Sequence, residues 1–163
     1  MSERQIEVSV SRQSLSLVDP ATGTPIFSTS IATAKNGTGQ LNGSECTPLG
    51  RHRIRAKIGS GARANSVFVG RRLTGEILSP DLAKQYPQRD WILTRILWLC
   101  GEQPGYNRLG QVDTQRRYVY IHGAPDFHDM GVPSSHGCIK MTNEDVITLF
   151  DMVEVGTKVN IEE

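Results

Sequence analysis

"WILTRILWLC", residues Trp91 to Cys100, is the stretch on which the fold turns. Ile92, Leu93, Ile96, Leu97, Trp98 and Leu99 make it apolar on both sides, so periodicity does not separate a buried strand from a buried helix. Its length is that of a strand, and Gly101 and Pro104 stop it where a helix would need to continue. Read as a strand, it is the buried centre of a sheet. Arg95 inside it has two readings: a charge facing the sheet edge, or a planar fork aimed at a substrate carboxylate.

Outward from this run the chain keeps the period of two. Ile6, Val8 and Val10 alternate with polar residues, and Leu15 and Leu17 alternate with serines, as in half-buried strands. Asp19-Pro20 and Gly23 mark a turn, after which Pro25 to Ile31 returns. Lys35 to Gly50 is loop. His52 to Ile58 is a further strand ended by Gly59-Ser60-Gly61, and Pro80 to Pro87 is a short helical turn. Tyr118 to Ile121 forms a short strand with His122 at its end, followed by a loop over 123–134. One helix is plain: Thr142 or Asn143 caps it, Glu144 and Asp145 occupy its first turn, and Val146, Leu149, Phe150 and Val153 recur at helical spacing. Gly156 ends it, and Val159 and Ile161 alternate as a last strand. The expected class is mostly β (α+β), one domain over 1–163 with a helix against the sheet.

A chain of 163 residues suits one core and one site. Its 18 basic and 17 acidic side chains leave a net charge of +1, so no long-range field draws it to nucleic acid or an anionic membrane. Arg51, Arg53 and Arg55 read as the wet face of a strand, and Asn36-Gly37-Thr38 and Asn42-Gly43-Ser44 as turns. No apolar run reaches signal-peptide or membrane-span length, and Cys46, Cys100 and Cys138 are too few and too scattered for a disulfide framework. The expectation is a soluble protein of the cytoplasm with a free working thiol.

His122, Asp126, His128, His136 and Cys138 fall close together in "PSSHGCIKM" (133–141) and the loop before it. Their spacing forms neither a helical His-x-x-x-His pair nor a Cys-x-x-Cys knuckle, so no metal and no cofactor is assigned. For Cys46, Cys100, His52 and His128 the expectation is satisfied core packing. Cys138 differs because Gly137 frees the adjacent backbone to aim amide groups at one point, an oxyanion hole beside a nucleophile. A thiol needs a base, and there are two: His136, if 136–138 is extended so that it shares a face with Cys138, or His122 from a neighbouring strand. Either makes cysteine acyl transfer the chemistry.

His122-Gly123 followed by Ser135-His136-Gly137-Cys138-Ile139-Lys140-Met141 resembles the active-site signature of the L,D-transpeptidases of the YkuD type, and Thr47-Pro48-Leu49-Gly50 resembles the family's Thr-Pro-x-Gly loop. The likeness runs from about residue 47 to residue 161; the amino-terminal strands fit in outline. It implies a β sandwich with Cys138 as nucleophile, His122 as general base and acid oriented by the Gly123 carbonyl, amides of His136, Gly137 and Cys138 around the oxyanion, and the His136 side chain in support. The implied partner is a peptidoglycan stem peptide or free murein tetrapeptide, cut between the L-centre of its diamino acid and terminal D-alanine through a thioester. Ser135 positions the motif or caps a backbone group. Lys140 stands where arginine is common and is either a carboxylate binder or a solvent-facing charge; Tyr120 and Met130 line the groove or pack the core.

Water as acceptor makes such an enzyme an L,D-carboxypeptidase of recycled tetrapeptide, which the missing export signal favours. An amine acceptor makes it a transpeptidase. A catalytically silent peptide-binding module is the reading from another class, against which intact Cys138 and His122 stand.

Overall fold

The computed structural model describes residues 3–163. The run at 91–101 is the long strand at the centre of one ten-stranded sheet. The strands are β1 (Gln5–Ser9), β2 (Ser14–Asp19), β3 (Thr24–Ser30), β4 (Gly50–Ile58), β5 (Ser66–Val69), β6 (Arg72–Ile77), β7 (Ile92–Gly101), β8 (Tyr120–Ala124), β9 (Ile139–Thr142) and β10 (Lys158–Glu162). Two helices accompany them, α1 (Pro80–Gln85) and α2 (Asn143–Met152). The order β3-β2-β1-β10-β4-β7 continues through β8 to β9, while the hairpin of β5 and β6 joins the start of β7 beside β4. β1 with β10 and β8 with β9 are parallel pairs; the others run antiparallel.

The mostly β fold with a helix behind the cysteine motif is the expected one. Its sandwich is a single curled ladder: the chain leaving β3 meets β9, where Ala32 and Lys140 exchange both backbone hydrogen bonds, at 3.0 and 2.9 Å. Ile6, Val8, Leu15, Leu17, Ile54, Leu97, Leu99, Ile121, Ile139, Val159 and Ile161 point inward and pack with Val146, Leu149 and Phe150 of α2. Each such side chain, fully buried, is worth roughly 1.5–3 kcal/mol, and together they drive the sheet to curl around the helix.

The structure corrects several boundaries. The Tyr118–Ile121 strand begins two residues later and runs through His122, because Tyr118 takes a left-handed turn at φ 56°. β5, β6 and β9 were not anticipated; each is short and has too few alternations to show. Thr142 is the cap of α2, its hydroxyl accepting from the Asp145 amide at 3.1 Å. The helix ends at Met152, before Gly156, because buried Val153 turns into extended backbone toward β10.

His52 and Cys100 are buried, as expected. The His52 ring lies 3.0 Å from the Gly50 carbonyl through Nδ1 and 2.8 Å from the Thr114 hydroxyl through Nε2. Burial holds its pKa down from the ordinary 6.5 to about 4. For a base so lowered, the unfolded chain takes up the proton first as pH falls below 6.5. Its share of stability is therefore present above 6.5 and declines down to about 4. That gap corresponds to about 3 kcal/mol. Urea unfolding at about pH 7 and pH 4.5 should show this loss, and His52→Gln should have a flatter acid limb than the parent; an equally steep limb would refute the assignment.

Candidate active site

β8 and β9 place the site. Their parallel register sets Ile121 beside Ile139 and His122 beside Lys140, so Cys138, just before β9, lies next to Tyr120. Alternation puts Tyr120 and His122 on one face of β8, with Ile96 and Trp98 of β7 beneath them on the same face. Tyr120 donates its backbone N–H to Cys138 Sγ at 3.3 Å, and the thiol reaches the Tyr118 carbonyl at 3.5 Å.

His122 is 1% exposed, and its Nδ1 lies 2.6 Å from the Gly123 carbonyl. A carbonyl only accepts, so Nδ1 carries the hydrogen and Nε2 is left as a lone pair. Burial lowers the pKa of His122; the Gly123 carbonyl and the Asp90 carboxylate oppose this, and Lys140 adds to it. Gly123 is required by close approach: a β-carbon there would fall 2.4 Å from Asn143 Oδ1 and 2.7 Å from the Leu93 carbonyl. The pair His122-Gly123 thus fixes the ring and lets the start of α2 approach β8.

Cys138 is half-buried, and burial pushes its thiol up to about 12, with the Tyr120 amide and the Arg117 and Lys140 cations pulling it down. Burial thus pushes both groups toward their neutral forms. Residues 136–138 are bent, with Gly137 at φ 131° and the carbonyl of Cys46 3.2 Å from where its β-carbon would sit. The bend turns the His136 side chain out to solvent, where Nδ1 lies 3.7 Å from Asp90 Oδ2. Of the two bases open in the sequence, His122 has the shielded, oriented ring, and the extended geometry that would serve His136 is absent.

Ser135 braces the bend, donating to the Cys138 carbonyl at 2.5 Å and accepting from the Gly137 amide at 3.1 Å. That bond engages the Gly137 N–H, one of the three amides expected around an oxyanion, with the Ser135 hydroxyl. Thr47 of the Thr-Pro-x-Gly loop holds the other side: its hydroxyl donates to the Gly137 carbonyl and accepts from the Ala34 amide, both at 3.0 Å. Arg117, not singled out in the sequence, spends its guanidinium on Gly39, Gln40, Ser44 and Cys46. Beside Cys138 opens a cavity of about 270 Å³, lined also by Asn42, Glu45, Arg116, Tyr118 and His136.

Lys140 is 4% exposed, which excludes the solvent-facing reading. Its ammonium stands 3.0 Å from His128 Nδ1, and burial lowers its pKa. Arg95 is buried on the opposite side of the sheet. The bulge between Leu93 and Ile96 re-aims it toward Phe150 of α2, where it donates to the Ala62 and Thr94 carbonyls, so its guanidinium is engaged within the protein and not set at a sheet edge. Tyr120 is buried, its ring edge-on to Trp98. Met130 is half-buried in the loop after β8. Asp90, whose carboxylate acts on His122, His128, Cys138 and Lys140, was missed because it stands in irregular chain before β7, far from the motif in sequence.

The L,D-transpeptidase catalytic domain family model (YkuD) matches residues 3–161, and the chain belongs to that family. A segment of 43 residues, 26% of the chain, is 44% identical to the probable L,D-transpeptidase YbiS of Escherichia coli K12, of which it spans 14%. The fold is similar to that of L,D-transpeptidase 3 from Mycobacterium tuberculosis in complex with a faropenem-derived adduct (TM-score 0.59, 16% identity, 99% of this chain and 61% of that one). It is also similar to the L,D-transpeptidase from Xylanimonas cellulosilytica (TM-score 0.55, 17% identity, 98% and 60%). The chain therefore spans about three fifths of those solved structures.

With the Cys138 thiol held up to about 12, iodoacetamide should label it slowly at about pH 7.5 and steadily faster through about pH 10. Peptide mapping distinguishes it from Cys46 and Cys100; a labelling plateau below about pH 8 would instead reveal a standing thiolate–imidazolium pair.

Proposed function

We propose that this chain is a cysteine acyl-transfer enzyme on peptidoglycan stem peptides, acting as an L,D-carboxypeptidase of murein tetrapeptide in peptidoglycan recycling. The observation that carries the acyl-transfer step is the 2.6 Å contact between His122 Nδ1 and the Gly123 carbonyl, which leaves Nε2 as the basic lone pair on a strand paired with the one that follows Cys138. With burial pushing thiol and imidazole toward their neutral forms, the proton moves from Sγ to Nε2 as sulfur attacks the carbonyl of the diamino acid's L-centre. The amides of His136 and Cys138 receive the oxyanion. Collapse returns the proton from His122 to the departing nitrogen, releasing D-alanine and leaving a Cys138 thioester. Water, deprotonated by His122, then frees the tripeptide.

A second reading differs only in the acceptor: an amine attacks the thioester and yields a cross-link or an exchanged D-amino acid. The likeness to a probable L,D-transpeptidase supports it. A cytoplasmic location belongs to the first reading, and cell fractionation tests it.

Mass spectrometry of the protein with free murein tetrapeptide, with and without excess of another D-amino acid, separates the two. Tripeptide in both samples supports hydrolysis, whereas replacement of the terminal D-alanine establishes amine transfer. Cys138→Ala should remove all turnover while keeping the fold, and His122→Gln should lower kcat/KM by about 10³-fold. Since His122 is held below its ordinary 6.5, the acid limb of kcat/KM should fall only below that pH; turnover by Cys138→Ala would end the nucleophile assignment.

A further inference from the structure

The sequence offered Arg95 for a substrate carboxylate, and the fold buries it. A different arginine contacts the aromatic residues next to Cys138. The hairpin of β5 and β6 turns through Gly70 and Arg71, both left-handed at φ 56° and 65°, as a tight two-residue turn requires. Its tip brings the Arg71 guanidinium over two rings, 4.7 Å from the centroid of Trp98 and 4.8 Å from that of Tyr118. Nη1 donates to the Tyr120 hydroxyl at 3.0 Å. These contacts lead directly to the nucleophile: the Tyr120 amide and the Tyr118 carbonyl are the two backbone groups on Cys138 Sγ.

The way Arg71 is held is uncommon for a structural arginine. Arg89 pairs with Glu76 through both nitrogens, and Arg95 and Arg117 bond backbone carbonyls. For Arg71 the Tyr120 hydroxyl is the one hydrogen-bond acceptor among the described residues, and no carboxylate of theirs lies within ion-pair distance. A guanidinium has five N–H donors, so four remain unused. Stacking on two aromatic faces fixes its plane without consuming them. A planar cation with its donors free and its orientation set by neighbouring rings is arranged for a carboxylate, which it grips with two parallel N–H···O bonds.

We infer that Arg71 binds the free terminal carboxylate of the peptide whose last bond Cys138 opens. This rests on the acyl-transfer reading above and adds its selectivity: the site prefers a chain that ends one residue past the attacked carbonyl. One residue of extended chain spans about 3.5 Å, so that carboxylate lies within a short reach of Sγ, on the side covered by Tyr118, Tyr120 and the hairpin tip. A peptide continuing beyond that residue, or ending in an amide, leaves the guanidinium without its anionic partner.

The test compares murein tetrapeptide with the same tetrapeptide bearing a carboxamide terminus, following release of the last residue by the whole chain and its Arg71→Gln and Arg71→Lys variants. The parent should prefer the acid, with KM lower by on the order of 50-fold. Arg71→Gln should raise KM for the acid by about that factor and leave the amide unchanged, erasing the preference; Arg71→Lys, keeping the charge but not the fork, should fall between. A purely structural Arg71 would instead change both substrates together, and that result overturns the inference, as does a parent indifferent to the terminus. Absence of any D-alanine release and of any acyl adduct on the parent would overturn the acyl-transfer reading itself, and this assignment with it.

Discussion

Strands β8 and β9 lie side by side and parallel although only a loop connects them, and that pairing sets the terms for the rest of the molecule. Parallel neighbours usually need a helix to carry the chain back. Here the return is made by residues 125–138, anchored where Ser134 and Ser135 donate to the Thr33 carbonyl and where Lys140 pairs with Ala32. The far end of the sheet thereby locks the crossover. The same contact closes the curl around the core and places Cys138 level with Tyr120, two residues from His122 on one face.

What the site does with this register is largely desolvation. Enclosure pushes the Cys138 thiol and the His122 imidazole toward their neutral forms. The cost of holding a bent backbone beside them is spread over side chains that touch no substrate: Ser135 from within the motif, Thr47 and Arg117 from outside it. Thr47 clamps the Gly137 carbonyl while Gly137 takes a conformation that a β-carbon would obstruct, and the Thr-Pro-x-Gly loop and the cysteine motif are two halves of one support.

The family was legible in the sequence because its signature depends on local order. Alternating residues marked most strands, Thr142 and the apolar spacing marked α2, and the paired His122-Gly123 and Ser135 to Cys138 motifs pointed to a cysteine nucleophile and to the family. Short strands such as β5, β6 and β9 left too little periodic signal. Arg95 was misread because a bulge changes which way side chains point without altering the apolar run that contains it.

Residue type and spacing by themselves determined a mostly β chain with one capped helix and a cysteine flanked by two possible bases. The tertiary structure decided how these two histidines differ, since a left-handed Gly137 throws His136 outward while the β7–β8 pairing buries His122 against its own neighbour's carbonyl. It also decided where the arginines stand. A hairpin tip distant in sequence brings Arg71 onto Trp98 and Tyr118, and the Leu93/Ile96 bulge sends Arg95 beneath the sheet. Proximity across strands follows from register and twist, which no single segment encodes, because each strand finds its partners only when the whole core closes.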